Sequence, residues 1–111
     1  MADVFKLISL NVKGLSNFKK RRTMFTWCRK HKADIVFLQE THSTIKTDTQ
    51  WKNEWGAEII TSHGSSNARG VAILIKNGFD CTIHQKILDP LGRLIILEVD
   101  VKEKTYVLVN V

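Results

Sequence analysis

Two short apolar runs, Val4–Asn11 (VFKLISLN) and Ala33–Glu40 (ADIVFLQE), flank a polar stretch of helical pattern. No other feature constrains the fold as much. Each run reads as a buried strand. Between them, Gly14–Asn17 (GLSN) breaks the first run. Ser16 or Asn17 then offers a side-chain oxygen to the free amides of a helix that runs to about His31. Phe18, Phe25 and Cys28, with Met24 beside them, form an apolar stripe near helical period. A connection of this length suits a crossover helix, so the two strands should pair in parallel through a right-handed crossover.

The pattern changes after Glu40. The stretch KTDTQWKNEW predicts a short helix with Trp51 and Trp55 on one face, packed into the core. AEIITS, GVAILI, CTIHQKIL, RLIILEVDV and TYVLVNV then read as strands. In CTIHQKIL, strict alternation puts Cys81, Ile83, Gln85 and Ile87 on one side. DPLG (Asp89–Gly92) is a turn, because proline presets one backbone angle and glycine tolerates the other. The last two strands form a hairpin across Lys102-Glu103-Lys104, and the later strands together should make an antiparallel meander. The predicted class is α/β, an initial β-α-β unit followed by that meander in a mixed sheet. A chain of 111 residues fits one domain with a single core rather than three full layers. The chain stops inside TYVLVNV with no turn or polar tail, so we expect a truncation there rather than a domain boundary.

Formal net charge is +6, and the excess is local. Lys13, Lys19, Lys20, Arg21, Arg22, Arg29, Lys30 and Lys32 share one stretch with no acid among them. Such a stretch suits a polyanion such as nucleic acid, and equally a solvated helix face. Lys19–Arg22 also mimics a nuclear-import signal, though four residues inside a helix carry little. Cys28 and Cys81 form neither a disulfide framework nor a metal-binding spacing, and read as buried free thiols. Asp3 and Lys6 interrupt any signal-like apolar run, and no stretch approaches the roughly 18 apolar residues of a membrane span. An intracellular location, nuclear or cytoplasmic rather than secreted, is expected, with no membrane association.

Asn11 and Glu40 each close an apolar run. Parallel pairing brings both to one sheet edge, the carboxyl edge where open α/β sheets tend to place ligands. An amide and a carboxylate there are hard oxygen donors, and Mg²⁺ needs only one or two protein carboxylates beside waters and substrate phosphate. Glu40 can hold the metal, and Asn11 can orient Glu40, a metal-bound water or a phosphate oxygen. Spacing alone nonetheless favours two strand ends that merely face solvent.

Five segments, SLNVKGL, FLQETH, RGVAILI, DPLGRLIILEV and YVLVNV, occur in order at characteristic spacing from Phe5 to Val111. Together they resemble the endonuclease/exonuclease/phosphatase family, which includes apurinic endonucleases and deoxyribonuclease I. The likeness is closest to the endonuclease domain of LINE-type retrotransposons. It implies the N-terminal half of a four-layer α/β sandwich of the deoxyribonuclease I-like type, with residues 1–111 short of a complete domain. It also implies hydrolysis of a DNA phosphodiester with Mg²⁺, Mn²⁺ being an alternative, and no small-molecule cofactor. In that resemblance Glu40 matches the metal-binding glutamate and Asn11 the asparagine at the floor of the site. His42 follows QET as in many LINE sequences, which implies contact with the DNA backbone or a plain surface position. Arg93 matches a position near the sheet edge with a structural role. Apurinic endonucleases usually carry an aspartate where Lys13 stands here, and LINE endonucleases commonly do not. The departure favours a retrotransposon nickase, feeding a reverse transcriptase further along, over abasic-site repair.

The resemblance assigns the remaining chemistry to a tyrosine just after VNV, an Asp-x-Asn motif and a Ser-Asp-His segment. None occurs in these residues, and His31, His42, His63 and His84 do not match the base. The expectation is therefore an inactive fragment of an active parent enzyme. The alternatives are a non-catalytic basic nucleic-acid-binding module and a phosphatase of the same fold.

Overall fold

The structure is a computed structural model that describes residues 5–65 and 67–111. Val4, the first residue of the expected first strand, lies outside them, as does Ser66 in the loop 62–70. The element order is β1 (Leu7–Asn11), α1 (Phe18–Lys30), β2 (Ile35–Gln39), α2 (Asp48–Trp55), β3 (Ile59–Ser62), β4 (Val71–Ile75), β5 (Thr82–Leu88), β6 (Ile95–Val101) and β7 (Lys104–Asn110). A 3₁₀ turn, Ile45–Thr47, leads into α2. Every expected strand and helix is present in the expected order.

β1 and β2 pair in parallel, from Leu7 opposite Ile35 to Asn11 opposite Gln39. β4 runs antiparallel beside β2, and β3 antiparallel beside β4, giving the order β1-β2-β4-β3. β5, β6 and β7 form a separate antiparallel sheet. The expected single meander is thus divided. β3 and β4 complete the first sheet, and only β5–β7 are a meander. All five residues of β4 are buried, which a central strand covered on both faces requires.

α1 starts at Asn17, whose Oδ1 accepts from Lys20 N at 3.0 Å. Arg29 and Lys30 in its last turn suit the negative end of the helix dipole. Its buried residues are Arg21, Phe25 and Cys28, spaced i, i+4, i+7. Phe18, expected in that stripe, is instead half exposed. Arg21 takes its place because Glu54 and two carbonyls satisfy the guanidinium. Nε lies 2.6 Å and Nη2 2.8 Å from the Glu54 carboxylate, and Nη1 donates to Leu15 O and Ser16 O. With Arg21 buried, Lys19–Arg22 does not present four exposed cations.

Two cores follow from this layering. Phe25, Cys28, Val36, Leu38, Trp51, Trp55 and Leu74 pack the helices against one face of the first sheet. Ile35, Phe37, Ile73, Ile75, Ile95, Leu97 and Val99 fill the space between the sheets. Burying each large side chain contributes about 1.5–3 kcal/mol. The expectation of one core is corrected: three layers form, because β2 and β4 are apolar on both faces and can seat a layer on each.

Alternation in β5 also fails. The register shifts between Ile83 and Gln85, so His84 occupies a bulge. Ile83 opposes the buried Val99, while Lys86 and Leu88 oppose the buried Leu97 and Ile95. The extra residue turns Ile87 to the outer face, where it is half exposed. Of the thiols, Cys28 is buried as expected and Cys81 only partly so.

Candidate functional site

Asn11 ends β1, Glu40 follows β2, and Arg69-Gly70 precede β4. The order β1-β2-β4 therefore sets an amide, a carboxylate and a guanidinium on three neighbouring chain segments at one sheet edge. The ladders continue past the strands and zip the loops together. Val12 N donates to Gln39 O at 3.0 Å, Gly14 N to Glu40 O at 2.6 Å and Leu15 N to Thr41 O at 3.0 Å. On the other side, Thr41 N donates to Gly70 O at 3.0 Å and His42 N to Arg69 O at 2.9 Å.

The zipped segments hold an uncommon backbone. Lys13, Glu40, His42 and Arg69 all have positive φ, between 50° and 64°. Among the described residues only Lys32 and Lys102 share this outside glycine. Left-handed geometry of a non-glycine residue costs about 1–3 kcal/mol and gathers where the surroundings over-determine it, active sites above all. Two glycines make the geometry possible. A Cβ at Gly14 would meet His42 Nδ1 at 2.7 Å, and one at Gly70 would meet Thr41 Oγ1 at 2.4 Å.

Asn11 and Glu40 meet directly. Asn11 Nδ2 donates to Glu40 Oε2, and Asn11 Oδ1 accepts from Lys13 N at 3.1 Å. The amide is thus held from one side and orients the carboxylate from the other. Both residues are exposed and line a cavity of about 600 Å³ with Ser9, Gln39, Arg69, Arg93 and Asn110. Among the described residues no group of three or more His, Cys, Asp or Glu converges. One carboxylate with a flanking amide does not make an all-protein cage. It does fit a hard cation that keeps several waters and takes phosphate oxygens, as Mg²⁺ does.

His42 stands apart. Its half-buried ring packs over Gly14 and is not part of the cavity lining. Arg93 faces the cavity, but its Nε and Nη2 donate to the Asp89 carboxylate at 2.9 and 3.0 Å. That bidentate pair, with Arg93 N and Leu91 N also donating to Asp89, closes the DPLG turn. The Arg93 guanidinium holds the Asp89 carboxyl down at about 2.

Sequence reasoning missed the floor of the cavity. Asn110 is 1% exposed and comes from the second sheet. Its Nδ2 donates to Leu38 O at 3.1 Å and Ala72 O at 2.8 Å, while its Oδ1 accepts from Gln39 Nε2 at 2.8 Å. Gln39 Nε2 reaches Ser9 Oγ as well, at 3.0 Å. One amide thus ties β7 to β2 and β4 beneath Glu40. The available signal was a lone polar residue inside the apolar run YVLVNV. Also unforeseen is a chain from Asp48 through His63 to Ser43, with His63 Nδ1 3.0 Å from Ser43 Oγ and Nε2 3.1 Å from Asp48 Oδ2. The set resembles a nucleophile triad, but Ser43 is fully buried and cannot reach a substrate. It braces the loop after Glu40 instead.

Two packed sheets with helices outside, and an acid–amide pair at a shared edge, define the deoxyribonuclease I-like class. Solved structures of that class superpose well. AP endonuclease LMAP from Leishmania major matches with a TM-score of 0.70 at 20% identity, over 96% of this chain and 39% of that one. TDP2 from Caenorhabditis elegans matches at 0.69 and 18% identity, over 95% and 34%. Danio rerio TDP2 in complex with a single-strand DNA product matches at 0.67 and 19%, over 95% and 44%. The model of the endonuclease/exonuclease/phosphatase family matches residues 8–111, and the chain belongs to that family. A Xenopus laevis relative, the transposon TX1 uncharacterized 149 kDa protein, is 29% identical over 103 residues. The chain spans 93% of itself in that match and 8% of the relative.

Proposed function

We propose that these residues form the metal-and-phosphate end of a divalent-cation-dependent phosphodiesterase that nicks DNA, in a retrotransposon setting. The observation that carries the reading is the Asn11–Glu40 pair, oriented by Lys13 N and fixed on a zipped, left-handed backbone. Glu40 would hold Mg²⁺ or Mn²⁺, with Asn11 fixing its carboxylate. Bound there, the cation would neutralise phosphate charge and supply an activated water. Asn11, Glu40 and the cavity walls orient the phosphate, and His42 touches the DNA backbone beside the cavity. The DNA product in the zebrafish TDP2 structure and the transposon relative support a DNA substrate.

The tyrosine, Asp-x-Asn and Ser-Asp-His elements that the family resemblance calls for do not occur in these 111 residues. The reading therefore predicts that the 111-residue chain leaves supercoiled plasmid intact with Mg²⁺. A protein that also carries the rest of the domain nicks it, and Glu40→Ala in that protein abolishes nicking. Unchanged nicking by the Glu40→Ala protein sinks the metal assignment.

The second reading is a basic nucleic-acid-binding module, favoured by the exposed Lys19, Lys20 and Arg22 of α1. It predicts DNA affinity that falls steeply with salt and is indifferent to Mg²⁺. Neutralising Lys19, Lys20 and Arg22 without loss of affinity removes it.

A further inference from the structure

Arg69 is a cation at the candidate site with no assigned task. It lines the same cavity as Glu40, from the segment that leads into β4. It does not pair with Glu40, and among the described residues its guanidinium has no hydrogen-bond or ion-pair partner. Its neighbour on the cavity wall, Arg93, is fully engaged by Asp89. The Arg69 backbone, by contrast, is firmly placed. Its carbonyl accepts from His42 N at 2.9 Å, Gly70 O accepts from Thr41 N, and Gly70 N donates to Gly92 O at 2.9 Å. The residue keeps φ at 64° despite carrying a side chain. A pinned backbone, an unspent guanidinium and a shared cavity with Glu40 are the features of a preformed anion site.

We propose that Arg69 binds the scissile phosphate, its guanidinium donating to the non-bridging oxygens from the β4 side of the cavity. The planar fork of arginine suits two such oxygens, and charge-assisted bonds of this kind are the strong ones. Glu40 and Arg69 then divide the work. The carboxylate serves the cation, and the guanidinium serves the anion without needing the cation. This assignment rests on the phosphodiester reading of the site and adds to it a contact that persists when no metal is bound.

The test is binding of a fluorescent single-stranded oligonucleotide in EDTA, followed by anisotropy across a salt series. Arg69→Asn is the main variant, because asparagine tolerates positive φ and leaves the loop in place. Affinity should fall about tenfold, and the slope of log K against log salt should shrink by about 0.7, the value for one phosphate contact on a single strand. Arg69→Lys keeps the charge and loses the fork, so it should fall between. Lys30→Ala is the control. Lys30 is exposed at the end of α1, beside the opposite sheet edge where Lys6 Nζ reaches His31 O, and its loss should change affinity less than the loss of Arg69. An unaltered slope in Arg69→Asn, an equal loss in Lys30→Ala, or no binding by the parent chain overturns the proposal. If Arg69→Asn binds normally while the longer protein still nicks in a Glu40-dependent way, Arg69 alone is wrongly assigned. Nicking indifferent to Glu40→Ala overturns the reading of the site instead.

Discussion

Asn11 shows what one residue contributes at the end of a strand. Its amide has two hydrogen-bonding ends, and both are used, one on Lys13 N and one on Glu40. In the proposed metal site, orientation by this amide stands in for a second carboxylate. Outer partners of this kind typically change metal affinity 10- to 100-fold. We therefore expect Glu40→Ala to abolish Mn²⁺ binding and Asn11→Ala to weaken it about tenfold or more. Paramagnetic broadening of the residue 11, 40 and 69 amide signals measures both. Equal broadening in all three proteins would remove Asn11 from its role. Cys28 is the opposite case, a reactive residue type made inert. Burial pushes its thiol up to about 11, against a smaller pull from Arg29. Iodoacetamide at pH 8 should alkylate the partly exposed Cys81 first and Cys28 only on unfolding, as mass spectrometry of the native protein would show.

Single polar contacts also fasten the elements. Asn110 joins the second sheet to two strands of the first, and its loss leaves two carbonyls and Gln39 short of partners. Leaving buried polar groups unpaired costs about 1–3 kcal/mol each, and relaxation recovers part of that. Asn110→Ala should lower stability by about 2–4 kcal/mol in urea titration. It should also disturb the amides around Glu40, because the lock lies under the cavity. Arg21 fastens α1 to α2 through Glu54, whose carboxyl the Arg21 hydrogen bond holds below its usual range. Removing one partner of a buried pair costs about 3–5 kcal/mol. Glu54 keeps 20% of its side chain in water, so Arg21→Ala should cost about 2–3 kcal/mol after screening. The helical pattern of α1 and the Phe25 and Cys28 of its buried stripe were readable in the sequence, but the place of Arg21 in that stripe was not. Periodicity ranks Phe18 above Arg21, and only the arrival of Glu54 from α2 makes the guanidinium the better core residue.

At the scale of the molecule, two exposed ion pairs on the second sheet and its turn set a pH signature. Asp89 falls to about 2, mainly through its hydrogen bond with Arg93. A depressed carboxyl contributes stability above its unfolded value of 3.8 and loses it as pH falls through about 2. His84 in the β5 bulge is raised by its hydrogen bond to Asp100. It contributes below its ordinary 6.5 and loses that contribution as pH rises through the raised value. Thermal melts should therefore show a Tm decline between about pH 4 and 2 that Arg93→Ala reduces, and a second above about pH 6.5 that His84→Ala removes. Identical pH profiles for the variants and parent would show that neither pair holds in solution.

The sequence by itself determined the order and type of every strand and α-helix, the parallel start and the shared edge of Asn11 and Glu40. Those are local matters, since apolar runs, a helix cap and turn residues act over a few neighbours. Tertiary structure decided the rest. It divided the strands between the two sheets that the family resemblance implied and the residue pattern alone did not, because β2 and β4 are apolar on both faces and each face takes a layer. It placed a bulge at His84, because cross-strand register outweighs strict alternation. It brought Asn110 beneath the site and onto Gln39, 71 residues away in sequence. It left Arg69, without a hydrogen-bond or ion-pair partner among the described residues, on the cavity that Glu40 lines, which no local pattern records. Contacts between distant segments depend on which surfaces meet, and that is fixed only when the layers close.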